Sequence, residues 1–531
     1  MNNERSLKLP KFDKTASVMV LFILISCFFV ALMQAGGFHL LEHRSKIFIL
    51  TLFFVIYIGF LCYFTFFKGF DENTSVIMVL LLGVFLRCSF VLLSGLYERQ
   101  HDAGAYTGYG TEFINPGHIG YIEYIYKFGT LPNINPYTLF GYYHPPLHHI
   151  ISFLFLKLNL LLGTTEEIAF ENLQILPLFY SNLLIVVTYK IMKLLDIRGI
   201  GLVLGLLFLS LHPGTIYMAG SVNNDMLTIL FMALIMLATF RWIRNKSRKT
   251  LIPLALYIGF GMITKLNAAV LAIPIALLFL MHLIQVIKEK QKETLFKTIK
   301  DYLTFAIIVF PIGLSWIVRN LIRFKEKPGV PVPGETSPMY TRNFSLWERL
   351  GIPSLHDWHF DFPFHPISAN ACANTWAIMF HTSLFAEEYP TDLSDVLLSL
   401  CQIAFVMAVI SACILAVLLL YLCLKKSSLK EDRIFLSTGY IIMLISFMAF
   451  VIVYPYTCSA DFRYVAITLV YMSVTLGLGN KLFLQDDECY LSETGAMKKN
   501  HNAKIFIIVL DILTMGALIL VTLVSLLWGR W

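Results

Sequence analysis

The stretch "GYYHPPLHHI", residues 141–150, opens an apolar run that continues to Leu162. Whether that run crosses a bilayer decides on which side every later segment of the chain lies. Pro145 and Pro146 suit the first turn of a helix, where a missing amide donor does no harm. The tyrosines and histidines around them suit the headgroup zone of a membrane. The chain as a whole has 531 residues, 57% of them hydrophobic and only 14% charged, with a mean hydropathy of +0.71. A soluble protein carries roughly a quarter charged residues, so the composition describes a polytopic integral membrane protein. The formal net charge of +7 gives no reason to invoke nucleic acid.

Apolar stretches of spanning length occur near 16–36, 47–67, 75–95, 172–193, 199–215, 225–243, 250–265, 267–287, 302–320, 397–422, 433–455, 464–484 and 503–527. The first is long enough to span and lacks a small-residue cleavage site, so no cleaved signal peptide is expected. Positive charge falls in clusters at 5–14, 190–198, 241–249, 288–300, 425–433 and 498–499. Lys and Arg favour short cytoplasmic loops. With the N-terminus inside and thirteen spans, every cluster is cytoplasmic. If 144–162 were a further full span, every cluster after it would move outside. Parity therefore predicts that the helix begun by HPPL lies in or dips into the outer leaflet. The expectation is an all-α fold of about 13 transmembrane helices, with interfacial helices in the first large external loop.

The predicted division is two N-terminal spans (1–74), a module at 75–320 holding an external loop at 97–172, an external loop at 321–396, and C-terminal spans at 397–531. The second loop reads as a cap over acceptor or donor. Nine cysteines carry no CxxC pair, and most fall inside apolar runs. Cys372 and Cys458 both fall outside, where a disulfide between them is open.

Candidate chemistry gathers on the external side. "YERQHDAGAYTGYG" (97–110) follows the third run and places Asp102 four residues before Tyr106, on one face of a helical turn. "HPGTIYMAGSVNNDMLTI" (212–229) puts Asn223, Asn224 and Asp225 before the next span, where Asp225 either caps the helix or serves the site. "GFGMITKLNAAVLAIP" (259–274), "SWIVRN" (315–320) and "DFRYVAI" (461–467) place Lys265, Arg319 and Arg463 at external span ends. These three either snorkel to the interface or meet an anionic group there. "HDWHFD" (356–361) has the spacing of an Asp/His metal site, with loop hydrogen bonding as the plainer reading. Arg87 and Asp511 fall inside apolar runs, where an ionisable group marks function or faces a polar neighbour.

The order of a span, an acid-bearing first loop, an interfacial helix "HIGYIEYIYKFG" (118–129) and then YYHPPL resembles the GT-C superfamily of polyprenyl-phosphate-sugar-dependent glycosyltransferases. The branch it is most similar to is that of the protein O-mannosyltransferases and lipid A aminoarabinose transferases, and the likeness covers roughly residues 75–485. Many members of that family carry Asp-Glu at the first-loop site, whereas this chain has Asp102-Ala103. A single-Asp mechanism is unaffected by that departure.

The resemblance implies transfer of a sugar from a polyprenyl-phosphate-linked donor to an acceptor hydroxyl on a glycan, lipid or protein, at the extracytoplasmic face of a bacterial-type plasma membrane. Asp102 would be the general base. Lys265, Arg319 and Arg463 would stabilise the donor phosphate, with Tyr106, His144 and Asn224 as further substrate contacts. A divalent cation, Mg or Mn, held by Asp102 and Asp225, is a further expectation. His148 and His149 are expected to face the membrane interface. Two other classes remain open: a polysaccharide polymerase or ligase using diphosphate-linked donors, and a lipid-linked-sugar transporter or flippase. Against the latter, no internal repeat is found and the polar residues gather at one face.

Overall fold

The computed structural model describes residues 13–96, 113–329, 334, 336–337, 339–352, 373–387, 393–424, 430–484 and 501–527. Asp102, Tyr106, Cys372 and the HDWHFD segment lie outside the described residues.

The described chain is all helical, apart from one isolated antiparallel bridge between Tyr340 and Tyr456. In order, the α-helices are α1 (Lys14–Ala35), α2 (His43–Tyr63), α3 (Glu72–Leu93), α4 (Gly117–Phe128), α5 (Leu147–Leu161), α6 (Glu166–Glu171) and α7 (Ile175–Leu194). Then follow α8 (Gly199–Leu211), α9 (Pro213–Tyr217), α10 (Asp225–Arg244), α11 (Arg248–Met262), α12 (Ala272–Lys288) and α13 (Lys292–Phe324). The rest are α14 (Leu346–Leu350), α15 (Thr375–Phe385), α16 (Asp395–Leu424), α17 (Lys430–Val453), α18 (Thr468–Phe483) and α19 (His501–Leu527).

Every one of the thirteen apolar runs is helical, but among the described residues only ten helices are long and apolar enough to cross a membrane. The other three runs form α8, α11 and α18, of 13, 15 and 16 residues. At 1.5 Å per residue these span roughly 20–24 Å, short of a hydrocarbon core of about 30 Å. Each is extended by a short separate element at one end: the brief helix α9 after α8, a 3-10 turn at Leu266–Leu271 beyond α11, and 3-10 turns at 457–464 ahead of α18. Hydropathy counts apolar residues whether or not they share one helix, which is why the runs read longer than their helices.

Two of those three interrupted ends, together with the start of α10, carry the polar residues of interest. At the far end of α10, about 30 Å away by helix rise, Arg244 pairs with Asp432 at 2.7 Å and Lys246 with Glu431 at 2.8 Å. Arg248 pairs with Asp301 at 2.7 Å at the same end. The basic residues Arg244, Lys246 and Arg248 and the candidate site thus lie at opposite ends of one helix.

The HPPL stretch turns directly into α5. The helix begins at Leu147, and the amide of Ile150 donates to the carbonyl of Pro146 at 2.9 Å. The 15 residues of α5 rise about 22 Å. Leu154, Leu158 and Leu161 are exposed on its outer side, while Ser152, Leu156 and Asn159 are buried on the inner one. His148 and His149 are also fully buried, which corrects the expectation that they face the interface. Their turn of α5 is covered by α4, and the ring of Tyr121 stacks on His149 at 4.0 Å. Gly141 makes this close approach possible: its φ is +86°, and a Cβ there would lie 2.8 Å from the Gly117 carbonyl carbon.

Candidate active site

The site begins with three consecutive polar residues at the start of α10. The Asn223 side chain accepts from the Asp225 amide at 2.9 Å, so it turns the chain into the helix. Asn224 is the N-cap by backbone position, but its side chain points away and donates to the Thr264 carbonyl at 2.9 Å. That bond ties α10 to the turn after α11, where Lys265 sits. Asp225 occupies the first helical position, where unsatisfied amides and the helix dipole favour a carboxylate.

Asp225 is the hub of the charged cluster. One carboxylate oxygen pairs directly with the Lys265 ammonium. The other lies 3.9 Å from the guanidinium of Arg463, which comes from the 3-10 turn Phe462–Tyr464. Asp461 fixes that turn: its carboxylate accepts from the Arg463 amide at 2.8 Å and lies 3.9 Å from the guanidinium. Tyr464 presents its ring to both cations, at 4.8 Å from the Lys265 ammonium and 5.4 Å from the Arg463 guanidinium. All four charged residues are buried, at 3% exposure for Asp225 and Asp461, 8% for Lys265 and 7% for Arg463. Among the described residues, two cations face two carboxylates here.

His144 joins this cluster from the YYHPPL loop. The Leu147 amide donates to the Ile263 carbonyl at 3.2 Å, which seats the start of α5 on the turn that carries Lys265. His144 is only half-buried, and Lys265 and Arg463 lie within electrostatic reach of it. Its ring stacks on His118 of α4 at 4.9 Å. The Nδ1 of His118 in turn lies 3.1 Å from the Nε2 of His149. Burial first, and then the neighbouring His118, keep His144 and His149 well below the ordinary imidazole value. His148 is pushed down to about 3, mainly by burial. The rings are therefore neutral at neutral pH.

The expected residues thus divide. Asn224, Asp225, Lys265, Arg463 and His144 come together. Arg319 does not share their contacts. It donates to the Pro132 carbonyl and, at 2.8 Å, to Asn320, and it lies 4.3 Å over the Trp316 ring. Trp316 itself donates to the Tyr143 carbonyl at 3.3 Å. Arg319 thus holds the first external segment from behind the His144 loop, a place that span-end counting does not distinguish from the site. His118, Asp461 and Tyr464 are site neighbours that the sequence did not single out. Asp461 and Tyr464 flank Arg463 within the DFRY motif, and His118 opens the HIGYIEYIYKFG stretch, so those signals were present; the place of His118 beside His144 depends on α4 packing against α5.

The metal expectation meets a donor set of the opposite kind. Both Asp225 oxygens face cations, and among the described residues no group of three His, Cys, Asp or Glu side chains is placed to hold a metal ion.

On the other side of Phe462, whose ring stacks on His212 at 5.6 Å, lies an apolar cavity of about 490 Å³. Phe208 of α8, Met379 and Phe380 of α15, Leu415 of α16 and Met472 of α18 line it.

Residues 143–316 match the family described as dolichyl-phosphate-mannose-protein mannosyltransferase. The resemblance drawn from the motifs is met over this segment. The segment runs from the YYHPPL loop into α13, so it holds His144, Asn224, Asp225 and Lys265 but neither Arg319 nor Arg463. Among solved structures, the chain is similar to the oligosaccharyltransferase of Archaeoglobus fulgidus in its apo form, at 12% identity and a TM-score of 0.44. It is also similar to the archaeal oligosaccharyltransferase AglB from Archaeoglobus fulgidus in complex with an inhibitory peptide and a dolichol-phosphate, at 10% identity and a TM-score of 0.45. These matches cover 87% and 85% of this chain and 56% of each of those chains. No curated protein matches.

Proposed function

We propose that the chain is an integral-membrane glycosyltransferase that moves a sugar from a polyprenyl-phosphate-linked donor to an acceptor hydroxyl of a glycan, lipid or protein, on the extracytoplasmic face. The observation that carries this reading is the meeting of Lys265 and Arg463 around Asp225, beside His144, at the opposite end of α10 from Arg244, Lys246 and Arg248. The family match over 143–316 supports it independently.

In the proposed step, Asp102 takes the acceptor proton as the acceptor oxygen attacks the anomeric carbon. The bond from that carbon to the phosphate oxygen breaks, and negative charge grows on the phosphate. Lys265 and Arg463 stabilise that charge, Arg463 by its planar fork and Lys265 as a point charge. Asp225 holds the two cations in register before substrate arrives, which lowers the reorganisation needed during the reaction. Asn224 keeps the Lys265 turn fixed to α10. Tyr106 contacts the substrate from the Asp102 loop. The apolar cavity behind Phe462 suits a hydrocarbon chain. No step runs through a divalent cation, because Asp225 is committed to Lys265 and Arg463.

The deciding experiment gives purified protein a polyprenyl monophosphate sugar and, separately, a diphosphate-linked one, and measures sugar transfer. Turnover on the monophosphate donor alone is expected. Turnover only on the diphosphate donor would instead favour a polymerase or ligase.

A further inference from the structure

We propose that the stacked imidazoles of His144, His118 and His149 receive the acceptor proton once Asp102 has taken it, returning Asp102 to its carboxylate, and so supply the positive charge that the departing lipid phosphate needs. The inference rests on the proposed glycosyltransferase reading and goes beyond it to the fate of the proton.

The argument starts from charge balance. A sugar-linked lipid phosphate is a diester with one negative charge. When its bond to the sugar breaks, both electrons stay with oxygen, and the lipid monophosphate carries two. The acceptor hydroxyl loses one proton as its oxygen bonds the sugar. Transfer therefore produces one extra negative charge and one proton, in the same buried place. Among the described residues, Lys265 and Arg463 face the carboxylates of Asp225 and Asp461, so these pairs bring no surplus of positive charge. Taking an uncompensated dianion out of water is costly.

The imidazoles are the titratable groups that meet this need among the described residues. His144 is half-buried, within electrostatic reach of both Lys265 and Arg463, and stacked 4.9 Å from His118. His118 Nδ1 and His149 Nε2 face each other across 3.1 Å, close enough for one ring to donate to the other. A proton arriving at His144 would thus be shared by a cluster rather than held on one ring. Of the other groups nearby, Tyr121 stacks on His149, and His148 meets it edge-on at 5.5 Å. Asp225 lies within electrostatic reach of His118 and His148. Arg319 stands further back, within electrostatic reach of Tyr121. Without a bound phosphate, burial first, and then His118 and the cations Lys265 and Arg463, keep His144 neutral. A bound phosphate dianion reverses that balance.

Calorimetric titration of the full-length protein with farnesyl monophosphate, at about pH 7 in two buffers of different ionisation enthalpy, counts the protons exchanged on binding. Uptake of about one proton per monophosphate is expected. Methyl farnesyl phosphate, a diester with one charge, is expected to bind with much less uptake. The His144→Asn protein should bind the monophosphate more weakly and lose the uptake, and His118→Asn should reduce it. The titrating monophosphate itself can only release protons on binding as a dianion, so uptake belongs to the protein. Binding of the monophosphate without uptake, or equal uptake for the diester, overturns the proton assignment and leaves the glycosyltransferase reading standing. If neither lipid phosphate binds, that reading fails first and the proton assignment falls with it.

Discussion

Two buried charged clusters lie at different places in this bundle, and they are built on opposite plans. Arg87 of α3 is fully buried, and each of its five donors is matched. Its Nε donates to Ser181 at 2.8 Å; its two terminal nitrogens reach the carbonyls of Gly83, Ser210 and Leu209 and the Thr215 hydroxyl at 2.6–3.0 Å. No carboxylate takes part. Around Asp225 the charges instead meet one another, Arg463 stands 3.9 Å from Asp225 and from Asp461, and neutral imidazoles border the group. A cation whose donors are all spent on backbone carbonyls and hydroxyls joins helices. A guanidinium held beyond hydrogen-bonding distance of its acids, as Arg463 is, can exchange a carboxylate contact for a substrate phosphate. Arg87, which the sequence left open between function and packing, falls in the first class.

The contrast can be broken by experiment. Asp102→Ala should lower sugar transfer the most, about a hundred- to ten-thousand-fold, with expression and membrane insertion intact; normal turnover would remove Asp102 from the mechanism. Arg87→Met should act on stability instead, at about 1–3 kcal/mol for each acceptor left without its donor. The fraction that folds should keep its specific activity. A folded Arg87→Met protein with lost turnover would mean that the two clusters are not separate in function.

Lys265→Gln should lower kcat by about a hundredfold, as for loss of one charge-stabilising donor. It also leaves the buried Asp225 with Arg463 alone. Combining it with Asp225→Asn should recover thermal stability while activity stays low. If activity returned with stability, Lys265 would be only a structural partner.

The imidazoles predict a pH dependence with a definite sign. Folding holds His148 at about 3, against 6.5 for the ordinary group, and lowers His144 and His149 as well. Below 6.5 the unfolded chain binds protons that the folded chain refuses. Stability is therefore level above that pH and falls as the pH drops from 6.5 toward 3, by about 1.4 kcal/mol per pH unit for each such ring. Tm measured across this range should show the slope, and His148→Leu should reduce it. Arg319→Ala should have the smallest effect on transfer, under about tenfold, because it removes a clamp on the Pro132 segment and not a contact within the Asp225 cluster. A loss as large as that of Lys265→Gln would put Arg319 with the phosphate-binding cations.

Much of this was legible along the chain. Each apolar run became helix, and Asp225, Lys265 and Arg463 could be picked out because ionisable residues are conspicuous at the ends of apolar runs. What hydropathy could not tell was where a run breaks, so α8, α11 and α18 were read as longer than they are. The histidines of HPPLHHI were misread for a related reason. A polar ring at the head of an exposed amphipathic helix looks interfacial, and only the packing of α4 over that turn buries His148 and His149.

The sequence by itself determined a helical membrane protein and a short roster of external charges, because apolar length and charge placement are local properties of the chain. The tertiary structure decided which of those charges meet. Asp225, Lys265 and Arg463 are separated by up to 238 positions in sequence, and they converge because α10, the turn after α11 and the turn before α18 end together. Arg319 ends its span in similar company yet is drawn to Pro132. Pairing is a matter of distance in space, and for residues so far apart in sequence only the packing of the bundle sets that distance.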